Sequence, residues 1–209
     1  EDDLPAIQDK CERYVDDEEV EGMLFDYYHF FGDYEHYHKS HGWYKKEIRI
    51  IRNKENIHSW RTAQSFRRIP NFDGINYKQK KGTYKLKVIP ANARIFHYGW
   101  VRPPHLMNKK RKALDNIHSK GSNGGNENFN YGPLGKLHKF KGTHPAVMKE
   151  WIEKFNWGDQ LYYSGSYPKT RERLKHERPK YKILSWIENN LLGGRTIGGS
   201  KNYIVLNKR

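Results

Sequence analysis

The sequence predicts an α/β protein with a mixed sheet and flanking helices. Three observations point there. Runs rich in β-branched and aromatic residues occur around 20–32, 46–51 and 84–98, as strands require. Apolar residues fall at helical spacing after Asp3, after Pro103-Pro104 and after Pro145. Gly- and Asn-rich punctuation separates these segments.

Taken in order, "LPAIQDKCERYV" is a short helix. Leu4, Ile7, Cys11 and Tyr14 share a face, and Asp3 stands at the N-cap position. "VEGMLFDYYHFFG" is a strand ending at Gly32, and "DYEHYHKSHGW" is a polar, aromatic loop. "KKEIRIIRN" is a strand with one buried face. Strands follow at 84–89 and 93–98, separated by Pro90. A helix starts at the proline pair 103–104, where proline suits the first turn. "GSNGGNENFNYGPLG" is a loop. "HPAVMKEWIEKFN" is a helix with Val147, Trp151, Ile152 and Phe155 on one face. "TRERLKHERPKYKILSWIENNLLGG" is helical, interrupted at Pro179 and closed by Gly193-Gly194. A last strand lies at 202–206. There is no internal repeat and no heptad pattern.

The 209 residues suffice for one good core or two small ones. Aromatics make up 14%, which argues against a disordered chain. Net charge is +15 and unevenly spread: residues 1–37 hold 13 acids against Lys10 and Arg13, so the remainder carries +26. Such asymmetry fits a polyanionic partner, or an acidic segment neutralised within the molecule. One cysteine, Cys11, rules out an intrachain disulfide and fits a reducing compartment. No apolar run approaches the ~20 residues that span a bilayer.

His97 ends an apolar strand, where ligands bind in open α/β sheets. Its imidazole could ligate a metal, and Trp100 and Arg102 beside it could border a diphosphate; packing on Tyr98 and Trp100 is the alternative. His29, His36, His38 and His41 cluster locally, but their spacing matches no standard zinc ligand set. The basic run Lys109 to Lys112 and the aromatics Tyr77, Tyr84 and Phe96 would suit single-stranded nucleic acid. No nucleic-acid fold signature accompanies them, so that reading rests on charge alone. A Gly-rich phosphate loop, a Ser elbow and a cysteine-protease signature are all missing.

Six stretches, in this order, carry a resemblance: "VEGMLFDYYHFFGDYEHY", "WYKKEIRIIRN", "SWRTAQSFR", "HYGWVRPPHLMNKK", "GTHPAVM" and "SWIENNLLGGRTIGGSKNY". Together they resemble the large, inverting, bacterial-type group of nucleotide-sugar-dependent glycosyltransferases with the GT-A fold. The resemblance runs from Glu1 to Tyr203. It implies the C-terminal portion of a GT-A-like mixed sheet: residues 1–118 as the acceptor-side half of the catalytic domain, and 119–209 as a loop and helical extension. The nucleotide-binding half, ending in an Asp-x-Asp motif, would precede Glu1.

The resemblance also implies a set of roles. His97, with Asp2, would belong to a Mn²⁺ or Mg²⁺ site. Arg102 and Lys110 would face the donor phosphates, where charge develops on the departing diphosphate. Trp43, Trp60 and Tyr98 would stack on acceptor sugars. The family's base position in "SWRTAQSF" is Thr62 here. Threonine is no base at neutral pH, which leaves Asp73 and Glu47 as candidates. The implied partners are a nucleotide-sugar donor and a glycan or lipid-linked acceptor. The implied location is cytoplasmic, with peripheral contact at the anionic inner face of the membrane. The competing reading is a non-catalytic basic, aromatic module that grips nucleic acid or an anionic glycan.

Overall fold

The computed structural model describes residues 3–61, 65–117, 128–167, 169, 171–198 and 202–208. Its first elements are helix α1 (Leu4–Arg13) and strands β1 (Gly22–Phe31), β2 (His36–His38), β3 (Lys46–Ile51), β4 (Ile57–Trp60) and β5 (Ser65–Arg68). Strand β6 (Tyr84–Trp100), helix α2 (Pro104–Ile117), strand β7 (His138–Lys139) and helix α3 (Lys149–Glu153) follow. Helix α4 (Pro179–Asn190) and strand β8 (Tyr203–Val205) come last. The protein is a mixed α/β structure: β8 runs parallel to β6, and the pairs β1–β2, β1–β3, β2–β7, β4–β5 and β5–β6 are antiparallel.

The chain forms two compact units that interleave in sequence. One comprises Glu1–Tyr27, Tyr44–Ile95 and Gly198–Arg209. The other comprises Tyr28–Trp43 and Phe96–Ile197. Strands β1 and β6 contribute residues to both.

In the first unit β3 pairs with β1, and β4, β5 and β6 are successive neighbours. Gly22 is required there, because a Cβ would lie 2.6 Å from the Ile50 carbonyl oxygen. Two apolar clusters fill this unit. Met23, Phe25, Ile89, Ala91 and Ala93 pack with Ile7 and Cys11 of α1. Leu24, Ile48, Ile57, Leu86 and Val88 pack with Phe66 and Tyr203. Arg52 ties the turn after α1 in place. Its Nε donates to the Val20 carbonyl at 2.5 Å, Nη1 to Val15 at 2.8 Å, and Nη2 to Tyr14 at 2.7 Å and Asp17 at 2.6 Å. Those carbonyls have left regular structure and need donors.

Three expectations need correction in detail. Asp3 stands at the N-cap, but its carboxylate accepts the Arg94 N–H at 2.8 Å instead of capping α1. Pro90 does not divide two strands: β6 runs through it, Asn92 takes a left-handed φ of 57°, and Lys10 Nζ donates to the Pro90 carbonyl at 2.7 Å. The expected loop after Gly32 contains β2. The hairpin β4–β5 was not anticipated at all.

The second unit holds β2 and β7, helices α2, α3 and α4, and a core of Phe30, Phe31, Met107, Phe129, Tyr131, Leu134 and Trp157. Gly32 turns with φ 82°, and a Cβ there would meet Leu134 Cδ1 at 2.9 Å. The expected amphipathic helix after Pro145 is a 3-10 turn, Ala146–Met148, followed by the single turn of α3. Ile152 and Phe155 pack on the core, whereas Val147 and Trp151 are exposed. Pro179 opens α4 as its first residue rather than interrupting a longer helix.

The acidic opening segment is largely neutralised inside each unit. Lys87 pairs with Glu19 at 3.0 Å, Lys46 with Asp26 at 2.8 Å, and Arg68 with Glu21 at 3.3 Å. Lys208 bridges Asp17 and Glu19, and Lys139 pairs with Glu35 at 3.0 Å in the second unit. Among the described residues, no helix is long and apolar enough to cross a membrane.

Candidate functional site

The second unit gathers the "HYGWVRPP" residues around the end of β6. The backbone leaves the strand in a turn, with the Val101 N–H on the Tyr98 carbonyl at 2.9 Å. Proline at 103 and 104 then starts α2 at once. Two turns into that helix, Lys110 reaches back and donates from Nζ to the Gly99 carbonyl at 2.5 Å. Its ammonium also stands 5.9 Å from the Trp100 ring centroid. Burial, and then the Arg102 guanidinium, hold the Lys110 pKa below the usual lysine range. Arg102 itself is exposed, and its carbonyl accepts the Tyr131 hydroxyl at 2.9 Å.

His97 lies on the same spot. A Cβ built on Gly99 would sit 2.7 Å from His97 Nε2 and 3.4 Å from Lys110 Nζ. Glycine is what lets imidazole and ammonium close over the backbone here. His97 Nδ1 is 3.1 Å from Nδ1 of buried His29 on β1, so one of the two nitrogens carries the shared proton. Trp43 completes the group. Its ring stacks on His38 at 4.2 Å and lies 5.2 Å from His29 and 5.7 Å from Trp100. His176 meets His38 at 4.3 Å. Burial drives the pKa of His38 well down and that of His176 to about 4, so both stay neutral.

Of the residues singled out in the sequence, His97, Tyr98, Arg102, Lys110 and Trp43 thus belong to this unit. Tyr98 is a packing residue: its ring stacks on Phe30 at 4.9 Å, its hydroxyl lies 2.8 Å from His144 Nδ1, and burial raises its pKa.

Glu47, Trp60 and Asp73 belong to the first unit. Trp60 is a packing residue there, buried with its ring 4.3 Å from the Arg61 guanidinium carbon and 4.6 Å from that of Arg67. Its indole N–H donates to the Gln79 carbonyl at 2.8 Å. Asp73 organises a turn by accepting the N–H groups of Ile75 and Asn76, and those bonds lower its pKa. Glu47 is buried and accepts from the Ile48 N–H and the Ser65 hydroxyl; burial raises its pKa. Glu47 is therefore the better proton acceptor of the two. Asp2 and Thr62 lie outside the described residues.

The histidine-rich stretch does not converge on one point. His36 is held by Asp33 at 2.8 Å, His41 by buried Glu188 at 2.6 Å, and His29 and His38 turn toward Trp43. Sequence reasoning passed over His29 as a partner for His97 and over His176 altogether. The signal available was period two: His29 and His38 are a cross-strand pair on β1 and β2. Among the described residues no three His, Cys, Asp or Glu side chains are grouped to hold a metal. His29 and His97 bring two imidazoles together, and no third such ligand joins them among the described residues.

No protein-family model, curated protein or solved structure matches the chain.

Proposed function

We propose that the protein takes part in glycosyl transfer from a nucleotide-sugar donor, with its "HYGWVR" corner gripping the donor diphosphate. The observation that carries this reading is the convergence of His97 and Lys110 on one glycine, with Arg102 close enough for its charge to act on Lys110. An imidazole and a half-buried ammonium close over Gly99, and a guanidinium adds to the local field. Charge develops on a diphosphate as it leaves a sugar, and preorganised cations lower the energy of that state more than that of the ground state. Half-burial strengthens each contact, because less water screens it. Lys110 and Arg102 provide the positive charge. His97, held by His29, can donate a hydrogen bond to a phosphate oxygen. Trp43 offers an aromatic surface for a sugar ring of a glycan or lipid-linked acceptor.

The test is a titration of the full chain with uridine diphosphate and, separately, guanosine diphosphate, with and without Mn²⁺. Quenching of tryptophan fluorescence reports binding, since Trp43 and Trp100 line the corner. The expected result is saturable binding that weakens by about tenfold in Lys110→Ala, the loss of one charge-assisted bond. Binding that is identical in Lys110→Ala and His97→Ala, or no binding at all, would overturn the proposal.

A further inference from the structure

A second cationic feature lies in the same unit, lined by none of the residues discussed above. It is a cavity of about 440 Å³ walled by Lys136, Ser166, Tyr167, Lys169, Arg171 and Arg173. Lys182 of α4 joins it: its Nζ stands 4.2 Å from the Tyr167 ring centroid, and Lys136 Nζ stands 4.3 Å from the same ring.

One wall is fixed from behind. Arg171 donates Nη1 and Nη2 to the two oxygens of fully buried Glu177 at 2.8 and 2.7 Å. It also donates Nε to the Asn130 carbonyl at 2.9 Å and Nη1 to the Glu172 carbonyl at 2.8 Å. Four of the five guanidinium hydrogens are thereby placed among the described residues. Glu177 further accepts the Leu174 N–H at 2.7 Å, which anchors the segment bearing Arg173. Behind both, Gly132 leaves room: a Cβ there would meet Glu177 Oε1 at 2.9 Å and Arg171 Nη2 at 3.4 Å.

The charge balance of this cavity is one-sided. Glu177 is committed to Arg171, and among the described residues no ion pair joins Lys136, Lys169, Arg173 or Lys182. These cations oppose one another. Burial, followed by the charges of Lys136 and Arg173, lowers the pKa of Lys182. A folded protein that keeps like charges together around a cavity gains when a multivalent anion enters.

We propose that this cavity binds a dianionic phosphate group, a phosphate monoester or a pyrophosphate, carried by a soluble molecule or by a lipid headgroup. Arg171 is the fixed donor. Lys136 and Lys182 bring mobile ammonium groups, and Ser166 supplies a hydroxyl. The inference does not rest on the glycosyltransferase reading. Its variants and probes differ from those that test the diphosphate corner.

The experiment uses the full chain with two probes. One is inorganic pyrophosphate, measured by calorimetry. The other is phosphatidylcholine vesicles doped with phosphatidic acid, measured by co-sedimentation. Lys136 and Lys182 are exposed, so Lys136→Ala/Lys182→Ala removes charge without disturbing the core. That double variant should bind at least about tenfold more weakly, or lose one of two pyrophosphate binding steps. Lys141→Ala/Lys149→Ala, which removes the same charge from exposed sites outside the cavity, should bind as the parent does. Pyrophosphate binding without vesicle binding assigns a soluble ligand. Vesicle binding that pyrophosphate displaces assigns a headgroup. Binding to neither probe, unchanged binding in the first double variant, or an equal loss in the second, would overturn the proposal.

Discussion

His176 is an imidazole kept neutral by its surroundings. It sits buried against His38 and near Trp43, and burial brings its pKa from 6.5 to about 4. The unfolded chain binds a proton on this side chain near pH 6.5, while the folded one resists until about pH 4. Between those values the unfolded state holds more protons, so stability falls as the pH falls. The shift corresponds to roughly 3 kcal/mol at full expression. His38, shifted the same way with its Nε2 buried and without a hydrogen-bond partner among the described residues, adds to the effect. Urea midpoints measured from pH 7 down to pH 4 should decline steeply. His176→Phe should flatten the decline, and a midpoint independent of pH over that window would exclude the coupling. At this scale the neighbourhood of His97, Lys110 and Arg102 was legible in the sequence, because strand end, proline pair and basic helix are local signals. The sequence could not announce His29 or His176, since their roles arise from contacts across 68 and 133 positions.

Strand β6 is the element whose course departs most from sequence rules. Proline normally ends a strand, because it removes a ladder donor. Here the chain continues past Pro90 by taking Asn92 through a left-handed conformation, one of the few a non-glycine residue tolerates. Asn92→Gly should leave stability unchanged or improve it. Asn92→Val should cost about 1–2 kcal/mol, read as a lower denaturation midpoint. Equal midpoints for the two variants would show that the φ angle carries no strain. Arg52 holds another element together, the turn between α1 and β1. Arg52→Lys keeps the charge but replaces three separate nitrogens with one, and four carbonyls then compete for it. A loss of roughly 2 kcal/mol or more is expected, with little recovered over Arg52→Ala. Strands β1, β3 and β8 and helices α1 and α2 were legible from periodicity and proline placement. The β4–β5 hairpin was not, because "IHSW" and "SFRR" carry polar and cationic residues that read as surface loop, although Ser65 and Arg67 are buried. The helix after Pro145 was overcalled because its apolar spacing fits a helix that packing uses for only one turn.

For the molecule as a whole, charge segregation along the sequence becomes charge pairing in space. The acids of residues 1–37 are met by Lys46, Lys54, Arg68, Lys87, Lys139 and Lys208. These pairs are mostly exposed, so each stabilises little. The second unit carries the larger excess of positive charge, 20 Lys and Arg against 10 Asp and Glu, where the first has 19 against 14. The Tyr167 cavity was not legible in the sequence, since Lys136, Arg171 and Lys182 come from three separate segments that the buried Glu177 and the Tyr167 ring help to organise.

The interleaving of the two units has a consequence for birth rather than for equilibrium. A ribosome adds on the order of 5–20 residues per second, and early segments search for partners while later ones are still being made. All residues of the second unit precede Gly198. The first unit still lacks Tyr203–Val205, the strand that pairs in parallel with Leu86–Val88, and Leu206, whose N–H bonds the Val88 carbonyl. During translation the edge of β6 at Leu86–Val88 therefore stays open after the second unit has all its parts. That open edge is a waiting template for any extended chain nearby, so crowded polysomes and chaperone supply will govern how much nascent protein reaches its final form.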